Sequence, residues 1–381
     1  MDRSLPDDSH RPDQQAGLAC SGRRLHGEGE RSAPPDRVDS AGGSAPPPHI
    51  ADLIQSIKEL ADKLARDQTS RGDLKILERT LRELRYAFKV FSRYRSRRKV
   101  TIFGSARTPP HAAGYEQAVR FARAMAEQGW LIVTGAASGI MEAGHVGAGR
   151  ANSMGLNILL PFEQAANPVI AGDAKLVSLK YFFNRKLLFV KESQAMCLLP
   201  GGFGTLDEGL EVLTLLQTGK HDMMPVVLLD EPGGDYWTAL QDFFKRKLLD
   251  RGMINEEDFS LYRLTDRVDE AVEEILGFYR VYHSMRYVRH DLVFRLQRTL
   301  GEELLAEIND RFHDILIDGQ FTLGGPRPEE REESEVAALP RLIFRFNRRD
   351  CGRLRQLIDF INQGKQRGHS TFPLAGDDEW Q

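Results

Sequence analysis

The chain has 381 residues and a mass of 43.0 kDa, room for two average domains or for one large α/β domain with appendages. Its 41% apolar and 28% charged residues exclude a collagenous, a wholly disordered or a membrane-embedded chain. With 52 Lys and Arg against 55 Asp and Glu the net charge is −3, which selects neither a nucleic-acid binder nor a polyanion mimic, so any basic surface is local. Three distant cysteines (Cys20, Cys197, Cys351) make no disulfide framework and lack the CxxC spacing of a zinc or redox site, and a reducing, cytoplasmic setting is expected. No run of 18 apolar residues predicts a membrane span, and the opening MDRSLPDDSHRPDQQ lacks the apolar core of a signal peptide.

In chain order, residues 1–49 hold Pro6, Pro12, Pro34, Pro35 and Pro46 to Pro48 with few apolar side chains, the composition of a disordered tail. Residues 50–98 turn helical. Leu53, Ile57, Leu60 and Leu64 form one apolar stripe and Leu74, Leu77, Leu81, Leu84, Phe88 and Phe91 another, predicting a helical hairpin broken at Thr69–Gly72. Its second helix carries nine Lys and Arg between Arg79 and Lys99 against the single acid Glu83. Such a face could meet phosphates or a membrane surface, or else be the solvated side of a helix packed on the main domain.

Residues 99–281 alternate short apolar strands with amphipathic helices, which predicts a doubly wound, open parallel sheet of the Rossmann-like α/β class. Strands are expected at Val100–Phe103, Trp130–Thr134, Leu156–Leu160, Ala195–Leu199 and Val226–Asp230, and a helix at Tyr115–Gln128 stopped by Gly129. Three strands run into glycine: Gly104-Ser105, Gly135-Ala136-Ala137-Ser138-Gly139, and Pro200-Gly201-Gly202. In such sheets ligands bind beyond the carboxyl ends of the strands. Residues 282–363 are read as a mainly helical extension, with helix over Leu292–Ile315, one strand with Leu342, Phe344 and Phe346 on one face, and a last helix Leu354–Gln363. The chain closes in a frayed tail, 364–381.

The densest chemistry lies in Pro200-Gly201-Gly202-Phe203-Gly204-Thr205-Leu206-Asp207-Glu208. A strand delivers a glycine turn to a helix start, so backbone N–H groups, the Thr205 hydroxyl and the helix dipole converge as a phosphate cradle. No Gly-Lys-Ser/Thr follows and GxGxxG is absent, which disfavours a nucleotide triphosphatase or an NAD enzyme. A tight turn without ligand would use the same glycines. Asp207 and Glu208 argue against that, because acids in the first turn repel a phosphate unless one serves other chemistry. Upstream, Arg185 and Lys186 interrupt an apolar segment, and Arg185 suits planar, bidentate contact with a phosphate.

Pro200–Glu208 matches the PGGxGTxxE signature, and Arg185-Lys186 the upstream Arg-Lys pair, so residues 99–281 resemble the Lonely Guy (LOG) family, phosphoribohydrolases long mislabelled lysine decarboxylases. The resemblance implies hydrolysis of the N-glycosidic bond of a purine nucleoside 5′-monophosphate (AMP or an N6-modified AMP) to free base and ribose 5-phosphate. It also implies a homodimer, no cofactor and no metal. Carried over by position, Glu208 and Arg185 are catalytic, and Gly201, Gly202, Gly204 and Thr205 contact phosphate or ribose. Lys186 and Asp207 lie beside them, and Thr214 sits further along the motif helix. Gly104 and Ser105 stand for the family's first glycine loop, and Gly135 and Gly139 for its second. Where relatives carry three glycines, Ala136 and Ala137 add methyls that are expected to narrow that loop. Glu163 is a candidate base contact.

Two rivals remain. A decarboxylase would need a pyridoxal phosphate lysine, and Lys186 inside an Arg-Lys pair has no such setting. A non-catalytic nucleotide sensor or carrier on the same fold is the other class, opposed by retention of both Arg185 and Glu208. The ten histidines form no HxxxH or HExxH pair; His145 reads as a helix-face residue and Cys197 as an apolar filler in a strand. Nucleic acid and membrane are not expected partners.

Overall fold

A computed structural model of the chain describes residues 48–160, 165–330 and 334–364. The Pro-rich tail up to residue 47 and the tail from residue 365 lie outside the described residues. The chain divides between Thr69 and Ser70 into two units, so the two helices read as one hairpin fall in different units. The first holds α1 (Pro48–Arg66). The second opens with α2 (Arg71–Phe91), N-capped by Ser70, whose hydroxyl oxygen accepts from the Asp73 amide at 3.1 Å.

Seven strands follow: β1 (Lys99–Phe103), β2 (Leu131–Thr134), β3 (Ser153–Ile158), β4 (Leu176–Leu179), β5 (Ala195–Leu198), β6 (Val226–Leu229) and β7 (Arg263–Thr265). They pair in parallel in the order β4-β3-β2-β1-β5-β6-β7, the doubly wound sheet that the alternation predicts. Every residue of β1, β2, β3, β5 and β6 is buried, as parallel strands covered on both faces must be. The crossovers carry α3 (Ala113–Glu127), α4 (Ile140–Asn152), α5 (Phe182–Glu192), α6 (Phe203–Gln217) and α7 (Tyr236–Phe243), and α8 (Val268–Phe278) follows β7. In α3 the expected inward stripe of Ala118, Phe121, Ala122 and Met125 is fully buried, and Gly129 ends the element at φ 82°. The chain walks outward from β1 to β4 and returns to place β5 on the other side of β1. The strand order therefore reverses between β1 and β5, the topological switch point of the sheet.

The basic helix α2 is a packed one. Ala87, Val90 and Phe91 join the core, and the buried Glu83 carboxylate accepts from Arg79 Nε (2.8 Å), the Lys180 amide (2.9 Å) and Asn184 Nδ2 (2.9 Å). Burial alone would raise the Glu83 pKa, but these donors outweigh it and hold the carboxyl below its ordinary value. A depressed folded pKa gives stability that is present above the unfolded value and lost as pH falls through the folded one. Glu83→Ala should therefore cost about 1–3 kcal/mol at pH 7, with the deficit against wild type shrinking on acidification, read by urea unfolding at several pH values.

Beyond α8 lies a second, antiparallel sheet. It comprises β8 (Tyr282–Val288), β9 (Asp291–Leu296), β10 (Thr322–Gly324) and β11 (Arg341–Phe344) in the order β10-β11-β9-β8, with α9 (Glu302–Arg311) and α10 (Cys351–Gln363). This corrects the expectation for residues 282–363. Four strands stand where one was expected, and of the predicted Leu292–Ile315 helix only Glu302–Arg311 is α-helical. The β8–β9 turn enters the left-handed region at Arg289 (φ 56°), so no Asn-Gly or Asp-Gly marks it. Leu292, Val293, Phe294 and Leu296 are all buried, so the alternation that marks a half-exposed strand is absent. Among the described residues no helix is long and apolar enough to cross a membrane.

Candidate active site

At the switch point the carboxyl ends of β1 and β5 touch: the Ser105 amide donates to Pro200 O at 3.1 Å. Behind β5 the chain turns through Gly201 and Gly202 into α6. Gly202 is its N-cap and supplies no side-chain acceptor, so the first N–H groups of the helix are left to a ligand. A Cβ on Gly201 would overlap Thr205 Oγ1 and stand 3.0 Å from the Ser105 amide, which is why glycine occupies the position. Tyr236 of α7 fixes the turn by donating its hydroxyl to Gly201 O at 2.6 Å.

These turns line a cavity of about 730 Å³ whose wall includes Gly104, Ser105, Arg185, Gly201, Gly202, Gly204, Thr205, Asp207 and Glu208. Nine residues named from the motifs are thus brought together. Glu208 is 6% exposed. Burial pushes its carboxyl pKa up, with Glu211 adding to the rise, while Lys186 and Arg185 pull it back without cancelling it. Arg185 is anchored at one end, its Nε donating to Leu156 O at 2.9 Å, and its guanidinium carbon lies 5.2 Å from the Phe189 ring. Burial lowers its pKa and Glu208 opposes the shift, yet an arginine stays charged. Among the described residues no carboxylate lies within ion-pair distance of Arg185, so its outer nitrogens are available to an anion.

Four residues named from the sequence lie off the cavity wall. Lys186 Nζ turns to α6, at 2.7 Å from Glu211, 2.9 Å from Asp207 and 3.5 Å from Glu208; these acids hold its pKa above the ordinary lysine value although burial works the other way. Thr214 is exposed and donates to Leu210 O at 2.8 Å. Gly139 packs on the Ser105–Ala106 backbone, and Gly135 packs on Arg185 and Met141. Glu163 lies outside the described residues. The wall also includes residues that no motif named: Met141, Phe182 at 52% exposure and Phe203 at 93%. Phe203 is one of the three variable positions of the signature, and an aromatic ring inside a glycine turn was the available signal. A larger cavity of about 1050 Å³ has Lys186 and Glu211 in its wall but neither Glu208 nor a glycine turn, so its size does not make it the chemical site.

Residues 134–275 match a family model described as "Possible lysine decarboxylase". The chain is 32% identical over 149 residues to a probable cytokinin riboside 5′-monophosphate phosphoribohydrolase of Oryza sativa subsp. japonica, an overlap of 38% of this chain and 58% of the relative. Against a cytokinin riboside 5′-monophosphate phosphoribohydrolase of Arabidopsis thaliana the identity is 40% over 97 residues, 26% of this chain and 42% of that one. The chain is similar to these phosphoribohydrolases over part of its length. A Mycobacterium marinum relative, also named a cytokinin riboside 5′-monophosphate phosphoribohydrolase, is 29% identical over 169 residues, 44% of this chain and 88% of its own. This chain thus spans about half the length of the two plant relatives. The segment matched to the family model contains Arg185 and Glu208 and begins after the first glycine turn.

Against the expectation that the alanines narrow the second loop, the Ala136 methyl is fully buried, with Ala136 at φ 61°. A Cβ on Gly155 would stand 3.0 Å from that methyl, so the absence of a side chain at Gly155 makes the room for it. Gly135 matters differently. A Cβ there would overlap Arg185 Nη2 and stand 2.7 Å from Met141 Sδ, both ends of flexible side chains. Gly135→Ala should therefore fold with nearly unchanged Tm yet displace Arg185, and whatever turnover the protein has should drop about tenfold; melting and kcat/KM measured together test this.

Proposed function

We propose that this chain hydrolyses the N-glycosidic bond of a purine nucleoside 5′-monophosphate, AMP or an N6-modified AMP, to free base and ribose 5-phosphate. The observation that carries the reading is the buried Glu208 carboxylate sharing one cavity with a helix N-terminus without a side-chain cap and an anchored, unpaired Arg185. The α6 amides and the guanidinium receive the 5′-phosphate and turn the anomeric carbon toward Glu208. As the C1′–N9 bond breaks, the base leaves with the electron pair and positive charge builds on the ribose, where a carboxylate stabilises it. Water adds to C1′ and gives its proton to Glu208, which passes it on to the departing base, so that neutral base is released and the carboxylate is restored. No residue in this scheme calls for a cofactor. We further propose that the chain works as a homodimer in the cytoplasm. The exposed Phe183, Leu187 and Leu210 on α5 and α6 support an apolar contact there.

Incubation with a panel of nucleoside monophosphates, following free base by chromatography and ribose 5-phosphate as coproduct, tests the reaction. Release of base from a purine monophosphate supports it. Binding of nucleotide without release from any member of the panel overturns it in favour of a carrier or sensor.

A further inference from the structure

We infer that His145 and Asn167 are positioning residues that aim Arg185 by holding the loop 135–137. The consequence for turnover rests on the reaction proposed above; the structural part does not.

His145, read from the sequence as a helix-face residue, is 0% exposed, and burial pushes its pKa below the ordinary histidine value although its bond to Met154 works the other way. Its Nε2 lies 3.0 Å from Met154 O, and a carbonyl only accepts, so the neutral ring is assigned its proton at Nε2. Nδ1 is then an acceptor, and Asn167 Nδ2 donates to it at 3.1 Å. The second hydrogen of that amide goes to Ala137 O at 3.1 Å, and the Asn167 backbone amide donates to Ala136 O at 2.8 Å. One residue therefore ties both loop carbonyls, and His145 decides which way its amide faces.

From the other side Thr134 Oγ1, itself 3.1 Å from His145 Nε2, accepts from the Ala136 amide at 3.0 Å. Ala136 needs this support, because φ 61° is strained for an alanine and persists only where its surroundings over-determine it. Next to it, Gly135 leaves the space that Arg185 Nη2 occupies. The Nε of that arginine is held by Leu156 O on β3, the strand whose Met154 O takes the imidazole proton. Loop, strand and arginine are thus joined through one buried hydrogen-bonded network, the kind that fixes geometry. His145 is absent from the cavity wall, so it acts through Arg185 and not on substrate.

The two ring nitrogens can be separated. In His145→Asn the amide oxygen takes the place of Nδ1 and keeps the link to Asn167, whereas His145→Gln reaches the place of Nε2 and keeps only the link to Met154. With AMP as substrate, kcat should fall about ten- to hundredfold in His145→Gln and Asn167→Ala while KM changes less, and His145→Asn should stay within about threefold of wild type. Hydrogen exchange at the 135–137 amides should quicken in the first two variants and not in the third. Loss of kcat that follows melting temperature in all three, or unchanged loop exchange in a folded His145→Gln, would overturn the inference. Should wild type release no base, the reaction has failed and not the positioning. Loop exchange and AMP affinity by calorimetry, weakened in His145→Gln and kept in His145→Asn, then decide the latter.

Discussion

Replacing Glu208 by glutamine is expected to lower kcat for base release by about two to four orders of magnitude while nucleotide affinity stays within a few fold. Glutamine keeps the volume and one acceptor oxygen, so α6 and the glycine turn are undisturbed. It removes the charge that faces the developing cation and the group that takes the proton of water. The pH dependence follows from the same environment. Burial first, then the charge of Glu211, raise the Glu208 pKa above its ordinary value. The reacting form is the carboxylate, so kcat/KM should fall on acidification at a pH above that of an exposed glutamate. Glu211→Gln should move this acid limb downward, because it removes a like charge and frees Lys186 Nζ, now 3.5 Å away, to pair with Glu208. Full base release by Glu208→Gln would remove the carboxylate from the mechanism.

Glu330→Ala should destabilise the chain by about 3–5 kcal/mol, the largest effect on stability expected at any site described above. Arg295 on β9 and Arg341 on β11 are direct cross-strand partners, an arrangement of like charges that a sheet does not tolerate unaided. Glu330, 0% exposed, lies between them, 2.9 Å from Arg295 and 3.3 Å from Arg341, and also accepts from the Arg327 amide at 3.0 Å. Alanine would remove the carboxylate that lies between two buried guanidinium groups. Burial alone would raise the Glu330 pKa, but the Arg327 amide and then the two arginines outweigh it and depress it. The stabilisation is therefore present above the unfolded value near 4.5 and is lost as pH falls through the folded one. Thermal unfolding at pH 7 measures the loss. A triple replacement of Glu330, Arg295 and Arg341 by methionine should recover much of it, because an apolar cluster carries no unpaired charge.

What the sequence discloses depends on how local the cause is. The central strands are legible because each is a short, fully apolar run stopped by glycine, and Glu208 and Arg185 because their motifs set their places on α6 and α5. The edge strands escape notice: β7 is three residues, and β4 alternates too briefly to stand out. The β8–β9 hairpin hides behind a turn built on Arg289. At the site, the direction of a side chain is what spacing cannot supply. Lys186 adjoins Arg185 in the chain yet faces the opposite partners, Thr214 bonds back along its own helix, and the Ala136 methyl turns inward because Gly155, nineteen positions away, has no side chain. The buried role of His145 depends on Met154 and Asn167, neither of which belongs to a recognisable motif.

The switch point also sets an order of events in the life of the chain. The cavity exists only where β5 lies against β1, and that pairing joins Val100 to Ala195 and Phe103 to Leu198. Contacts so distant along the chain form late, since closing the loop costs entropy before any packing repays it. A ribosome-bound chain that has emerged as far as β4 carries the first two glycine turns and the strands β1, β2 and β3. It lacks Gly201, Gly202, Thr205 and Glu208 of the cavity wall until Pro200–Glu208 follows. The site is thus completed by the second half of the sheet, and binding of nucleotide to a growing chain would report the arrival of α6.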